Sequence, residues 1–420
     1  MGYILKNSWA LLLGMFLLML GNGLQGTLLG IRGAIEGFSP TTMSWVMSAY
    51  FLGFLGGSRM TPKMIARVGH VRVFAALASM ISAAFIIYAL APDPYVWALM
   101  RLIVGFSFSG VYVVAESWLN DSATNETRGQ ALSAYMIVQM SGIVLAQVII
   151  NFADPAGFVL FAVISILVSI SFAPILLSVS PAPVFHTSKP MTLKRLFKTS
   201  PLGCVGSFLL GGIFSIMFGM SAVYGTEVGF TVAEISIFIG TIYTGGVLLQ
   251  YPIGWLSDRM DRRLLIVIVT GVASVLMIIG LFWASSFYVI LVLGFIIGAS
   301  TSPLYSLLIA HTNDYLEHED MANASGALIF LNGVGAICTP ILVGLAMTHL
   351  GANSFFYAMI ILMVMITVYG AFRMTRREAI AVEDTMSYTP VLPQTTPIVA
   401  EVAQEIAIEQ EIEAEEENSP

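Results

Sequence analysis

Arg101, Gly105, Tyr112 and Glu116 share one apolar stretch, residues 95–119. At 100° per residue they fall within about 60° of one another on a helix, forming a single polar stripe. Arg101 lies about 10 Å from the nearer end of that stretch at 1.5 Å per residue, where a guanidinium needs a wet cavity or a partner. The competing reading is an arginine that snorkels to water or pins neighbouring carbonyls. Glu116, near the other end, can carry a proton, because a partly desolvated carboxylate titrates near neutrality. It can equally close a gate with Arg67 and Arg72, and the gate is favoured because basic residues crowd that end. Asn22, Gln25, Arg32 and Glu36 make a second stripe within about 80° of arc, the pattern of a cavity wall. For Glu36 a plain pairing with Arg32 beyond the helix is the favoured reading. Gln139 and Asn332 either contact a polar ligand or hold two helices together. Tyr50, Tyr112, Tyr224, Tyr243 and Tyr305 line an amphiphilic pocket or simply pack.

The elements that must position these groups are long apolar helices. Of 420 residues, 57% are hydrophobic and only 10% charged, against about 25% charged in soluble domains. Apolar stretches cover about residues 8–31, 41–58, 73–91, 95–119, 128–152, 156–179, 201–226, 232–256, 264–285, 287–312, 321–348 and 354–373. Each suffices for a hydrocarbon layer of roughly 30 Å. The chain also repeats itself: Gly37-Phe38-Ser39 returns as Gly229-Phe230-Thr231, Arg67 as Arg259, Asn120-Asp121 as Asn313-Asp314, and Gln139 with Gly142 as Asn332 with Gly335. One duplicated folding unit explains this. The expected fold is all-α and membrane-integral, with twelve spans in two pseudo-symmetric six-helix halves, residues 1–179 and 201–374. A Pro-rich, basic linker, 180–200, joins them. Residues 375–420 form a tail that its Glu, Thr, Pro and Val content marks as solvated and mostly disordered.

Spans three, six, nine and twelve contain no Asp, Glu, Asn, Gln, Lys, Arg or His, apart from Arg373 as the last residue of span twelve. Polar groups are costly against lipid and tolerated around a wet interior, so every third helix is expected at the periphery. All but Arg32 and Arg101 of the 18 Lys and Arg fall on one side of this topology. Positive segments stay cytoplasmic, which places both termini inside and requires an even number of spans. Eleven of the 25 acids lie from Glu378 onward, so residues 1–377 carry 18 basic and 14 acidic groups despite the net charge of −7.

Several function classes drop out. Cys204 and Cys338 lie inside apolar spans and read as small core residues rather than a disulfide framework. No His and Cys cluster at ligand spacing, so no metal or other cofactor is expected. No Gly-Lys-Ser/Thr phosphate cradle occurs, no nucleophile stands with a base, and nothing points to an enzyme or to nucleic acid as a partner.

Gly254-x-x-x-Asp258-Arg259-x-x-Arg262-Arg263 resembles the signature loop of the major facilitator superfamily. Asp261 stands where that pattern usually has glycine, which implies a looser turn. In the first-half copy Pro62 and Ala66 replace the Gly and the Asp, while Arg67, Gly69 and Arg72 remain. Arg101-x-x-x-Gly105 resembles the fourth-helix signature of many proton-coupled members. Glu116-Ser117-Trp118-Leu119-Asn120, Arg128-Gly129 and Tyr135 are similar to the YcaD-like branch of that superfamily. The resemblance spans about residues 8–373.

It implies a monomeric carrier in a bacterial inner membrane that moves a small organic solute by alternating access, coupled to protons. Asn22, Gln25, Arg32, Tyr50, Arg101, Tyr112, Gln139, Tyr243, Tyr305 and Asn332 are the expected solute contacts. Arg67, Arg72, Glu116, Asp258, Arg259 and Arg263 are the expected gating and coupling groups. Two arginines suit an organic anion, whereas an aromatic, Met-rich interior suits efflux of amphiphiles. The alternative from another class is a non-transporting receptor that signals through its acidic tail.

Overall fold

The computed structural model describes residues 2–122, 125–174, 191–377, 380, 381, 385 and 388–391. Among these residues it contains thirteen α-helices: α1 Gly2–Ile35, α2 Pro40–Val68, α3 His70–Leu90, α4 Pro94–Ser122, α5 Asn125–Ile149, α6 Val159–Ser171, α7 Leu193–Thr199, α8 Pro201–Glu227, α9 Val232–Ser257, α10 Arg262–Leu281, α11 Phe287–Asn313, α12 His318–Leu350 and α13 Ser354–Met374. Ten are long and apolar enough to cross a membrane. Gly, Ser, Thr and three basic residues dilute the hydropathy of α2, and α6 spans only 13 described residues. Residues 175–179 of the expected span 156–179 and 180–190 of the 180–200 linker lie outside the described residues, while Leu193–Thr199 of that linker is helical.

The repeated turns fold alike. Gly37 and Gly229 take φ of 76° and 79°, the left-handed region open to glycine. Ser39 then caps α2 by accepting from Thr42 N–H (3.2 Å). Thr231 and Glu234 form a reciprocal capping box at the start of α9.

Two helices run on past their apolar stretches. The basic residues after 58, where the first-half copy of the signature loop is expected, are helix: α2 runs on to Val68, Gly69 alone separates it from α3, and Arg59, Lys63 and Arg67 occupy its last turns. Asn120-Asp121 likewise belongs to the end of α4. Hydropathy drops where a helix leaves the apolar layer, but the helix continues because charged residues propagate it well. Cys338 is also a correction: it is exposed, whereas Cys204 is buried. Residues 375–420 are not uniformly solvated either, since Val391 is buried.

The chain divides into two compact units that cut across the expected halves: Met1–Thr187 with Ser215–Gly240 and Ala336–Phe355, and Ser188–Phe214 with Thr241–Gly335 and Phe356–Pro420. In the first unit α2 packs along α4, α1 along α5 and α6, and α3 against α4 and α6. The end carrying the Gly37 and Gly229 turns is bridged within this unit. Thr41 and Thr348 hydroxyls bond at 2.8 Å, and Asn151 Nδ2 donates to Ser236 Oγ (3.1 Å). Gly344 lets its helix meet α2 so closely that a Cβ there would lie 2.3 Å from the Ser44 side chain.

In the second unit α10 buries Leu265, Ile266, Ala273 and Met277, and exposes Leu264, Ile268, Val272 and Ile279 on its opposite face. α13 likewise exposes Ile361, Val364, Val368 and Phe372. These bare apolar faces suit lipid, as expected for spans nine and twelve.

Candidate functional site: a buried guanidinium and its polar chain

Arg101 is 4% exposed. Its Nη1 donates to Gln25 Oε1 (3.2 Å), and its guanidinium carbon lies 4.7 Å from the centre of the Tyr50 ring. The chain continues along α1. Gln25 Nε2 donates to Asn22 Oδ1 (2.5 Å), Asn22 Nδ2 to Tyr112 Oη (3.0 Å), and Tyr112 Oη to Met19 Sδ (3.3 Å). Three helices supply these groups. On α1, Asn22 and Gln25 are one turn apart and share a face. On α4, Gly105 permits close contact with α2, since a Cβ there would lie 1.9 Å from the Tyr50 carbonyl oxygen. That contact brings the Tyr50 ring to Arg101. Phe54 completes the wall, with ring centroids 6.1 Å from both Tyr50 and Tyr112.

The electrostatics of this cluster are one-sided. Among the described residues no carboxylate pairs with Arg101, and its buried Nε has no acceptor. A guanidinium carries five N–H donors in a planar fork. A buried cation without a counter-charge costs several kcal/mol, and a cation–π contact with a neutral acceptor offsets only part of that. The site therefore favours an anionic or strongly accepting group beside Arg101.

Not every expected contact joins it. Arg32 is engaged by Glu36 (2.6 Å) and donates to the Pro155 carbonyl (3.3 Å), the pairing favoured for Glu36. Gln139 is buried on α5. Tyr243, Tyr305 and Asn332 belong to the second unit. There, Tyr305 packs edge-on against Phe214 (6.4 Å), and Asn332 Nδ2 donates to the Ser207 carbonyl (3.2 Å), tying α12 to α8. Tyr224 stacks on Phe355 (5.1 Å) in the first unit.

The gating set is arranged differently from expectation. Glu116 is buried and accepts from Tyr135 Oη (3.2 Å). Arg67 and Arg72 are exposed, and neither forms an ion pair among the described residues. Beside Glu116, Ser117 bonds to His70 Nε2 (3.0 Å). In the second unit Arg259 lies over Trp255 (4.2 Å) and donates to its carbonyl. Asp258 meets Arg262 at 3.5 Å. Asp261 does not loosen the turn: it caps α10 through Arg263 N–H (2.9 Å) and pairs with the Arg263 side chain (2.9 Å). Partial burial pushes the Asp261 carboxyl up, but the hydrogen bonds and charge of Arg263 outweigh it and hold it below the ordinary range. Arg262 is buried and joins Ser257 of α9 to Asp314 after α11. Arg263 Nη1 donates to the Arg377 carbonyl (2.7 Å), and Arg377 in turn bonds the Thr199 carbonyl (2.9 Å).

Sequence reasoning missed His70, Gln147, Gln250, Arg262 as a buried anchor, and Ser306. Gln147, which accepts from Thr27 (3.0 Å) and donates to the Gly23 carbonyl (3.1 Å), carries the signal used for Gln139: an amide inside an apolar span.

The family model described as Major Facilitator Superfamily matches residues 11–242 and 202–392. Curated relatives include the uncharacterised MFS-type transporter YcaD of Escherichia coli O139:H28 (strain E24377A / ETEC), 26% identical over 82% of this chain and 90% of that protein. The same protein of Shigella sonnei (strain Ss046) matches equally. Among solved structures, the nucleoside transporter NupG superposes with TM-score 0.69 at 15% identity, covering 89% of this chain and 99% of that one. A bacterial homologue of the human lysosomal transporter Spinster, inward-facing and occupied, gives TM-score 0.73 at 14% identity, covering 92% and 98%.

Proposed function

The chain belongs to the major facilitator superfamily, and from that premise we propose that it is a secondary transporter carrying a small organic anion, with Arg101 as the anion's anchor. Arg101 supports this reading best: it is a buried guanidinium with an acceptor-less Nε and no carboxylate partner among the described residues. An incoming carboxylate or phosphate supplies two acceptor oxygens in the geometry of that fork, while Asn22, Gln25, Tyr50 and Tyr112 orient the rest of the solute. Residues 1–179 and 201–374 act as two six-helix halves that rock about a midplane site. The Gly37 end is external, and both termini face the cytoplasm of a bacterial inner membrane. The Thr41–Thr348 and Ser44–Gly344 contacts are then the closed external gate. Glu116, a buried carboxyl held by Tyr135, is the coupling-proton carrier, since an ionisable group within a span is functional by default. Arg67 and Arg72 meet acidic partners in another state of the cycle.

The test is a thermal-shift screen of the detergent-purified protein against organic anions, organic cations and neutral amphiphiles. Stabilisation by an anion in wild type and its loss in Arg101→Ala is the expected result. Stabilisation by cations alone, unchanged in Arg101→Ala, sinks the anion reading.

A further inference from the structure

After α13 the chain returns to its own unit, and Tyr388–Val391 lies against α9 and α11. Gln250 and Gly254 stand at successive turns on one face of α9, Asp258 follows directly after its last residue, and each meets Tyr388. The Tyr388 N–H donates to Asp258 Oδ1 (2.8 Å), and its phenol oxygen accepts from Gln250 Nε2 (3.0 Å). Its ring occupies the space a side chain would need at Gly254, where a Cβ would lie 2.6 Å from ring carbons. Three residues on, Ser306 Oγ of α11 accepts from Val391 N–H (2.9 Å) and donates to the Val391 carbonyl (3.2 Å). Gln250 Nε2 also donates to Ser306 Oγ (3.3 Å), so one amide joins both anchor points. Val391 is 2% exposed.

This is not a surface contact. Gln250 and Ser306 each lie seven residues inside their helix ends, about 10 Å along the axis, and the segment satisfies polar groups that are costly inside an apolar span. It selects this repeat. At the 192-residue offset, Ser58, Pro62 and Ala66 stand for Gln250, Gly254 and Asp258, so the first half has neither the slot nor the acid. The segment is short, and Pro390 keeps it extended without an N–H of its own.

We propose that Tyr388–Val391 is an autoinhibitory strap that fastens α9 to α11 and must withdraw before the transporter can cycle, a proposal that rests on the alternating-access reading above. The experiment uses the full chain in nanodiscs, with Cys204→Ala and Cys338→Ala, and follows labelling by a membrane-impermeant maleimide. One reporter is Val391→Cys, which reads docking. The other is Ser48→Cys, buried on α2 next to the Gly37-end seal, which reads opening of that end. Each is measured with and without Tyr388→Ala. Gly254→Ala, which evicts the ring while leaving the strap intact, is the second releasing variant. Release is expected to speed Val391→Cys labelling at least tenfold and Ser48→Cys labelling at least threefold. Equal rates at Val391→Cys with and without release show an undocked tail and overturn the strap. Faster Val391→Cys labelling with an unchanged Ser48→Cys rate shows a docked tail that locks nothing, and overturns autoinhibition. Neither readout needs a solute, so a failed anion screen leaves both intact.

Discussion

Arg262 and Asp314 offer the sharpest test of what holds the second unit together. Their side chains are 1% and 3% exposed, and the pair joins the start of α10 to the turn after α11. Replacing Asp314 with Ala removes the buried counter-charge of the Arg262 guanidinium. Ser257 Oγ at 3.0 Å and Asp258 at 3.5 Å are among the contacts that remain. Asp258 is 39% exposed, and a pair of that kind contributes only about 0–1 kcal/mol. The loss should therefore sit at about 3–5 kcal/mol, the range for breaking a buried pair by removing one partner. Arg262→Met removes the buried counter-charge of Asp314 instead and should cost a similar amount. The double variant leaves no orphan charge, so its loss should fall short of the summed singles by about 1–3 kcal/mol. The assay is reversible unfolding in mixed SDS and detergent micelles, followed by tryptophan fluorescence. Single variants that each lose under about 1 kcal/mol, or a double variant equal to their sum, would refute the buried-anchor argument.

Gly344→Val places a side chain where the Ser44 side chain and the Pro40 carbonyl already lie within 2.3 and 2.7 Å of a built Cβ. It should force the Gly37 end open and speed maleimide labelling of Ser48→Cys; unchanged labelling would remove the seal's role as a gate. Asp261 is held below its ordinary value by Arg263, so its stabilisation is present above about pH 4 and is lost as pH falls through the lowered folded value. Asp261→Asn should therefore be less stable than wild type near neutrality and converge with it at the acid end. A gap that persists in acid would show that the charge of Asp261 is not the source of its stabilisation. Glu116→Gln should keep the anion-induced thermal shift but abolish its pH dependence, and an unchanged pH profile would take the proton from Glu116.

Much of this was legible in the chain. The Gly37 and Gly229 turns, the apolar spans, the inward stripe of Arg101, Tyr112 and Glu116, and the bare faces of α10 and α13 all follow from local composition, because a bilayer lets one helix period decide which side faces lipid. Asn22 and Gln25 were found by the same periodicity. Helix ends were not, since Arg59, Lys63 and Arg67 look like a loop to a hydropathy reading and propagate a helix perfectly well.

Pairing belongs to the tertiary structure. That Arg32 turns to Glu36 and Pro155, that Glu116 meets Tyr135 while Arg67 and Arg72 stay exposed, and that Arg101 has no carboxylate beside it among the described residues depend on which helix faces which. Gln250 and Ser306 are ordinary polar residues in sequence, and Tyr388 lies in a segment whose composition reads as solvent-exposed. Composition measures the average cost of leaving water, and that decides what enters the membrane. Only the fold brings Gly254, Gln250 and Ser306 into register with four residues of the tail, because a hydrogen bond requires a partner within about 3 Å and a one-dimensional pattern carries no distance between distant positions.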